Sequence, residues 1–255
     1  MIRGLYTAAA GMMVTAKQSD TIDENIENLR NPGYRETQEI ITSFPRLMAQ
    51  RVDPKNSTGI SEKTNIGILG TGVVVDSKYY IDKPGNIRQT ENKTDFAINS
   101  GGYFVVETLA GERYTRNGHF QVDPSRRLRT SGGNPVLGEN GVIGPLPQNF
   151  TIDTDGTITD TDTHAVIDKL RIVDIPASSL KKEGMTTLFS STEQPKDMDK
   201  DSLRIYQGYI EESNVNIDGQ MVKMLEVVRA YSANQKVIQT NDSLLEKAVN
   251  DIGKV

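Results

Sequence analysis

Residues Asn216–Ile252 read NIDGQMVKMLEVVRAYSANQKVIQTNDSLLEKAVNDI. Met221, Met224, Val228, Tyr231, Gln235, Ile238, Asp242, Leu245, Val249 and Ile252 alternate steps of three and four, the heptad of a helix seam. Asn216 is placed as an N-cap, and Asp218 sits in the first turn, where the helix dipole favours an anion. A helix from Ile217 to Asp251 would run about 50 Å at ~1.5 Å per residue, too long for a small core to cover. Gln235 and Asp242 lie inside the seam, where polar residues weaken packing but fix register and partner number. Val222, Leu225, Val237 and Leu244 lie off it, and a helix with a second apolar face needs more than one neighbour.

The other end of the chain also reads as helix. No Pro interrupts Ile2 to Leu29, and Ile2, Leu5, Ala9, Met12 and Ala16 keep the same spacing. Ile22, Ile26 and Leu29 resume it one position off. Gly4, Ala8, Gly11 and Thr15 form a second, small-residue stripe beside it. Gly inside a helix costs up to ~1 kcal/mol, which is tolerable where a neighbour must approach closely. The segment Gly4–Ala16, after Arg3, imitates a secretory signal, but one Leu among two Gly and two Thr is thin for an apolar region. It reads instead as half of a helix. Asn31-Pro32-Gly33-Tyr34 ends that helix, because Pro disfavours the α region before it and Gly suits the turn.

Between the helices the punctuation changes. Turn signals fall at Pro84-Gly85, Gly101-Gly102, Ala110-Gly111, Asn117-Gly118, Gly132-Gly133, Asn140-Gly141 and Asp155-Gly156. Short β-type runs lie between them: Val73–Val75, Phe96–Ile98, Tyr103–Val106, Tyr114–Thr115, His119–Val122, Ala165–Ile167 and Leu170–Ile175. Such spacing predicts an antiparallel β domain. The expected fold class is α+β: long N- and C-terminal helices pairing as a coiled coil, an inserted antiparallel all-β domain, and extended linkers. The expected boundaries are 1–35 and 213–255 for the terminal helices, 36–66 and 187–212 for the linkers, and 67–186 for the β domain.

Composition narrows the function. The chain has 255 residues, no Cys, no Trp and two His, with a net charge of −5. Without Cys there is no thiolate metal site, disulfide or Cys nucleophile. Two His exclude a three-His metal site. An acidic balance argues against a phosphate-backbone partner. An apolar content of 36% is low for one compact globule. No stretch approaches the roughly 18–20 apolar residues of a membrane span.

Candidate chemical motifs dissolve on inspection. Gly67, Gly70 and Gly72 in GILGTG lack the Gly-Lys-Ser/Thr of a phosphate loop, and strand-type Val73-Val74-Val75 follows instead of a helix. Asp153, Asp155, Gly156, Asp160 and Asp162 lack the sixth-position Gly and twelfth-position Glu of a calcium loop and read as a turn. No partner in sequence marks His119 or His164 as a general base. Arg126-Arg127-Leu128-Arg129 reads as a solvated turn or as a rim contact with a neighbouring subunit. No catalytic, cofactor-binding or metal-binding residue is expected. The candidate assembly interface is Ile2, Leu5, Ala9, Met12, Ala16, Ile22, Ile26, Met221, Met224, Val228, Tyr231, Gln235, Ile238, Leu245, Val249 and Ile252. The candidate helix-exit turn is Asn31, Pro32, Gly33 and Tyr34.

Several motifs then carry a resemblance. Met1–Met12 (MIRGLYTAAAGM), Asn25-Ile26-Glu27-Asn28 and Asn31–Arg35 (NPGYR) stand at the start. Gly70–Val73, Gly85, Phe96–Ile98, Gly102–Val106, Tyr114–Gly118 and Phe120 follow, and Gln207–Val215 (QGYIEESNV) stands before the last helix. In this order the sequence resembles the bacterial flagellar rod and hook family, and its start and length resemble the distal-rod type. It departs from that pattern at Arg30-Asn31 and at Asp218-Gly219, where Gly219 should loosen the first turn of the second helix. The resemblance implies a non-enzymatic structural subunit of the flagellar basal-body rod, without cofactor. It implies export through the flagellar export apparatus without a cleaved signal, to a place outside the cytoplasmic membrane. Copies of the chain and other rod and hook proteins would be its partners, with no nucleic acid and no membrane insertion. The terminal helices would line a self-assembling helical tube that encloses the export channel and transmits torque. An oligomeric cell-wall binding module or hydrolase, carried by the β domain, is the alternative.

Overall fold

The computed structural model describes residues 2–44, 47–52, 63–70, 72–176, 179–183, 187–198 and 203–252. The chain is α+β, with a long helix at each end and antiparallel strands between. It divides into two compact units. One comprises residues up to 25, 37–80 and from 216 onward, and the other comprises 26–36 and 81–215.

The first unit holds the helices. Helix α1 spans Ile2–Glu27 and helix α2 spans Ile217–Lys247, continued by a π-type turn at Ala248–Ile252. The Asn216 side chain caps α2 by accepting from the amides of Asp218 (3.1 Å) and Gly219 (3.4 Å). That second bond ties down the glycine expected to loosen the turn. Small residues let α2 lie close to α1. A methyl group at Gly11 would stand 2.7 Å from the Asn234 side chain, and one at Gly4 would stand 3.4 Å from Asn241. Ser19 meets the sulfur of Met224 at 3.5 Å. As α1 advances, its contacts step backward along α2, so the two helices run antiparallel.

Two strand pairs complete this unit. Thr37–Ser43 pairs antiparallel with Val73–Tyr80, with a bulge at Ile40/Ile41. Leu47–Val52 pairs with Lys63–Leu69. The buried Asn25 side chain closes two bonds with the Thr37 backbone, donating to its O at 2.8 Å and accepting from its N at 2.9 Å. Thr21 donates to Glu39 at 2.5 Å and Lys78 to Glu24 at 3.2 Å. These side chains pin both strands of the first pair to α1, which a two-stranded ribbon needs because it is marginal alone.

The second unit is built on a six-stranded antiparallel sheet. Its order is Leu180–Lys182, Leu188–Ser191, Gly111–Thr115, Tyr103–Thr108, Ile172–Asp174, Lys196–Asp197. A three-stranded sheet of Phe150–Ile152, Thr157–Asp160 and Val166–Lys169 lies in the same unit. The expected turns at Ala110-Gly111, Asn140-Gly141 and Asp155-Gly156 each join paired strands. Inward side chains fill one core around Phe96, Phe104, Phe120, Leu128, Val136 and Ile158. Phe104 meets Phe120 edge-on with centroids 5.2 Å apart, a favoured aromatic geometry. Parts of both stretches read as linkers are paired strand: Thr37–Ser43 in one, Leu188–Ser191 and Lys196–Asp197 in the other.

Candidate functional site

Two places hold the candidate residues: the helix faces of the first unit and the strand crossings of the second.

On α1 the small stripe, not the larger one, faces α2. Ala8 and Thr15 are buried, and Gly4 and Gly11 meet Asn241 and Asn234. Thr15 turns its hydroxyl back to the carbonyls of Gly11 and Met12 at 3.0 Å. Of the expected interface residues on α1, Ile22 is buried, Leu5, Ala9, Met12 and Ile26 are half-buried, and Ala16 is exposed. On α2 the covered row is Gln220, Met224, Val227, Asn234, Ile238, Asn241, Leu245 and Ala248. Met224, Ile238 and Leu245 belong to the expected seam. Gln235 is exposed, and so are Met221 (58%), Val228 (52%), Tyr231 (39%) and Val249 (69%). The alternate positions of the covered row lie one residue earlier. Gly4 and Gly11 leave room for the polar Asn241 and Asn234, so shape decides the contact, not apolarity. Both pairs are seven residues apart, and that matching interval was the signal available in the sequence. The side chains of Ile2 and Ile252 lie outside the described residues.

Outside that row α2 shows an apolar surface. Val222, Leu225, Val237 and Leu244 are 44–59% exposed. On α1 Tyr6 and Met13 are 68% and 66% exposed. These are large apolar side chains left in solvent.

In the second unit, the helix-exit turn follows a short 3-10 turn at Asn28–Arg30. The Asn31 side chain donates to that of Asn28 at 2.7 Å. Gly33 has φ +68°, and a Cβ there would lie 2.4 Å from the Arg116 and Asn117 backbone, so only glycine fits. Its N–H donates to the Glu211 carbonyl at 2.8 Å. Tyr34 is 1% exposed with the Lys182 ammonium 4.0 Å above its ring. The structure thus brings the NPGY motif together with the stretch that leads back to α2.

Beyond the turn, three chain segments are knotted: residues 34–36, 81–87 and 209–215. Asn214 reaches both of the others. Its Oδ1 accepts from the Glu36 amide at 2.6 Å, and its Nδ2 donates to the carbonyls of Ile81 (2.9 Å) and Lys83 (2.8 Å). Beneath it lies an ionic cluster. The fully buried Arg35 donates from Nη1 to Glu211 Oε1 at 2.6 Å. The same oxygen accepts from the Gly85 amide at 3.1 Å. Arg116 Nη1 stands 3.6 Å from Glu211 Oε2 and donates to the carbonyls of Ile98 (3.3 Å) and Ser100 (3.1 Å). Asp82 Oδ1 accepts from the Tyr103 hydroxyl at 3.1 Å and stands 3.6 Å from Arg35 Nε. Burial pulls the Arg116 pKa below its ordinary value, Glu211 opposes that, and Arg35 adds to it. Two guanidiniums and two carboxylates balance here, and their chemistry is ionic cross-linking. No pattern-based reading finds this cluster, because its members are far apart in sequence.

The remaining motifs are local. His119 Nδ1 meets the buried Asp95 carboxylate at 2.7 Å, and His164 sits in a turn with φ +57°. The Arg127 amide and the Arg129 and Arg127 charges hold the Asp123 carboxyl below the usual carboxylate range against a small burial effect, and both arginines fold back onto it. Asp155 accepts from the Thr157 amide and hydroxyl, as a hairpin-turn residue does. Val73 opens a strand, not a helix, after the GILGTG stretch. Among the described residues, no cluster of three His, Asp or Glu is placed to hold a metal, and no helix is long and apolar enough to cross a membrane.

Comparison with known proteins agrees with this geometry. Residues 97–174, inside the second unit, match the family "Flagellar hook protein FlgE/F/G D1 domain". Residues 206–251, the last crossing and α2, match "Flagellar basal body rod FlgEFG protein C-terminal". The flagellar hook-basal body complex protein FlhP of Bacillus subtilis is 32% identical, over 96% of this chain and 97% of its own length. The flagellar basal-body rod protein FlgG of Buchnera aphidicola subsp. Schizaphis graminum is 31% identical, over 97% and 98%. The flagellar basal-body rod protein FlgF of Escherichia coli is 30% identical, over 95% of each chain. Full-length likeness of this kind covers both helices, the crossings and the β unit together, and the chain belongs to the flagellar basal-body rod and hook protein family.

Proposed function

We propose that this chain is a structural subunit of the flagellar basal-body rod, whose copies pack through their terminal helices into a helical tube. Family membership supports a structural flagellar role, a basal-body location and assembly with other basal-body and hook proteins. The observation that carries the finer reading is the apolar surface left on α2 after α1 has packed against it, with Met221, Val222, Leu225 and Val228 all more than half exposed. Such faces are covered when α1 and α2 pair as a coiled coil and neighbouring pairs close around them. Head-to-tail contacts between like copies propagate without closing, which gives a helix of subunits.

In this reading residues 1–35 and 213–255 form the inner layer around the export channel. Residues 67–186 form the outer β domain, with 36–66 and 187–212 connecting them. Ile2, Leu5, Ala9, Met12, Ala16, Ile22, Ile26, Met221, Met224, Val228, Tyr231, Gln235, Ile238, Leu245, Val249 and Ile252 contribute the assembly faces. The turn Asn31-Pro32-Gly33-Tyr34 directs the chain from one layer to the other. The subunit does no chemistry and transmits torque. It leaves the cytoplasm through the flagellar export apparatus without a cleaved signal, and it is of the distal-rod type that the start and length of its sequence resemble.

Electron microscopy of concentrated protein tests this directly. Tubes are expected from the unaltered chain, and Leu225→Asp combined with Val228→Asp should abolish them while the β unit stays folded. Concentrated protein that stays monomeric, with α2 fully protected from hydrogen exchange, overturns the reading.

A further inference from the structure

The cluster at the crossings is incomplete in a particular way. Arg35 Nε and Nη2 are buried and make no hydrogen bond, whereas Nη1 is held by Glu211. These two nitrogens share one edge of the guanidinium, the edge that grips a carboxylate side-on with two parallel bonds. A buried donor left unmade is costly, so closing this edge is favourable. One carboxylate is placed to do it. Asp82 Oδ1 lies 3.6 Å from Nε, beyond hydrogen-bond range. Its side chain is 37% exposed and lines a cavity of about 580 Å³, together with Arg35, Gly85, Ser100, Arg116 and Glu211. Space to move and a reason to move coincide at one residue.

The backbone on either side of Asp82 is fixed. The Ile81 amide donates to the Glu36 carbonyl at 2.8 Å, and Asn214 holds the carbonyls of Ile81 and Lys83. Closure is therefore a side-chain rotation of Asp82, with the Tyr103 hydroxyl following or releasing it. Each crossing segment contributes one charged member: Arg35 from the first, Asp82 from the second and Glu211 from the third.

We propose that Asp82 is the closing jaw of a two-position clamp on Arg35: it stands open in the arrangement seen, and in a closed position it engages the Nε/Nη2 edge and joins all three crossing segments through one guanidinium. The proposal does not depend on tube assembly, so it stands or falls separately from the rod reading.

The test is the unfolding equilibrium of the full-length chain, read by denaturant titration of Asp82→Asn, Arg35→Gln and the double variant. A closed, charge-assisted pair should make Asp82→Asn lower the folding constant by about fivefold or more, and the loss should vanish in the Arg35→Gln background. A half-exposed carboxylate that stays at its present distance is worth less than about fivefold. Asp82→Glu keeps the charge and should recover most of the loss. In parallel, the Arg35 Nε–H resonance should exchange slowly with solvent in the unaltered protein and quickly in Asp82→Asn. An Asp82→Asn loss below fivefold, a loss that persists without Arg35, or an Nε–H that exchanges equally in both proteins overturns the clamp. Should Arg35→Gln fail to fold, Asp82→Glu and the Nε–H exchange still decide.

Discussion

Phe104 and Leu225 are both large apolar residues, yet one is 0% exposed and the other 59%. That contrast holds across their units. In the β unit Phe96, Phe104, Phe120, Leu128, Val136 and Ile158 are all within 1% of full burial. On α2 Val227 is the one large apolar residue that is buried among those described. A short β-rich segment finishes its own core, because strands alternate inward and outward faces and the inward set closes on itself. A long helix with apolar residues on several faces cannot do so against a single partner. One unit closes its own core, and the other leaves apolar side chains exposed along α2.

The sharpest way to break this comparison is to injure the complete unit. Phe104→Ala should cost about 3–5 kcal/mol, the usual loss for a buried aromatic with no room to collapse. Thermal unfolding followed at β-sheet and helix signals should show the loss in the sheet signal, and a loss shared equally with α2 would mean that the two units are not energetically distinct. Glu211→Ala should cost a similar amount, about 3–5 kcal/mol, because it removes the carboxylate that the buried Arg35 donates to and leaves the Gly85 amide without its acceptor. Denaturant titration reads both.

The legible and illegible parts of this molecule divide on the same line. The β strands could be read because Gly, Pro and Asn-Gly turns punctuate them, and Phe96–Ile98 is a strand with the expected bounds. Helix ends were legible through Asn216 and through Pro32-Gly33, whose chemistry is local. The covered row of α2 was not legible in full. Its true members include Gln220, Asn234 and Asn241, which hydropathy ranks as outward-facing, and Gly11 and Gly4 on the other helix select them by leaving space. Arg35, Arg116 and Glu211 each stand in a motif that carries the resemblance, but their meeting, and Asp82's place beside them, was illegible for a different reason. Local motifs place Arg35 and Glu211 beside turns, but nothing in either neighbourhood says that the two meet across 176 residues.

A smaller effect sharpens the helix side. Gly11→Val should cost about 1–3 kcal/mol, since a Cβ there would stand 2.7 Å from the Asn234 side chain, which must swing aside or push the helices apart. Adding Asn234→Ala should return much of that loss, whereas the same alanine alone should change little. A Gly11→Val chain of unchanged stability would show that α2 is not held at this distance. Leu225→Asp, in contrast, touches a surface without a partner in the monomer. It should shift monomer stability by less than about 0.5 kcal/mol while removing self-association in sedimentation experiments.

The smallest expected effect lies at a hairpin tip of the β unit, and it asks whether the complete unit is rigid to its edges. Burial alone would raise the Asp155 carboxyl, but the Thr157 hydroxyl and amide bonds and the Lys169 charge outweigh it and hold the pKa below the usual carboxylate value. A carboxyl depressed in the folded state contributes stability that is present above its unfolded pKa and lost as pH falls through its folded pKa. The loss should thus begin near the ordinary carboxylate range and end below it. With the side chain 43% exposed, solvent screens the interaction, and the global unfolding midpoint should scarcely move. The carboxyl carbon of Asp155, followed by NMR from neutral to acid pH, is the proper gauge. Its midpoint should lie below that of a free aspartate and rise in Thr157→Val, which removes the hydroxyl donor and keeps the strand. A midpoint at the free-aspartate value would mean that this turn frays in solution, and that the completeness of the β unit stops short of its hairpin tips.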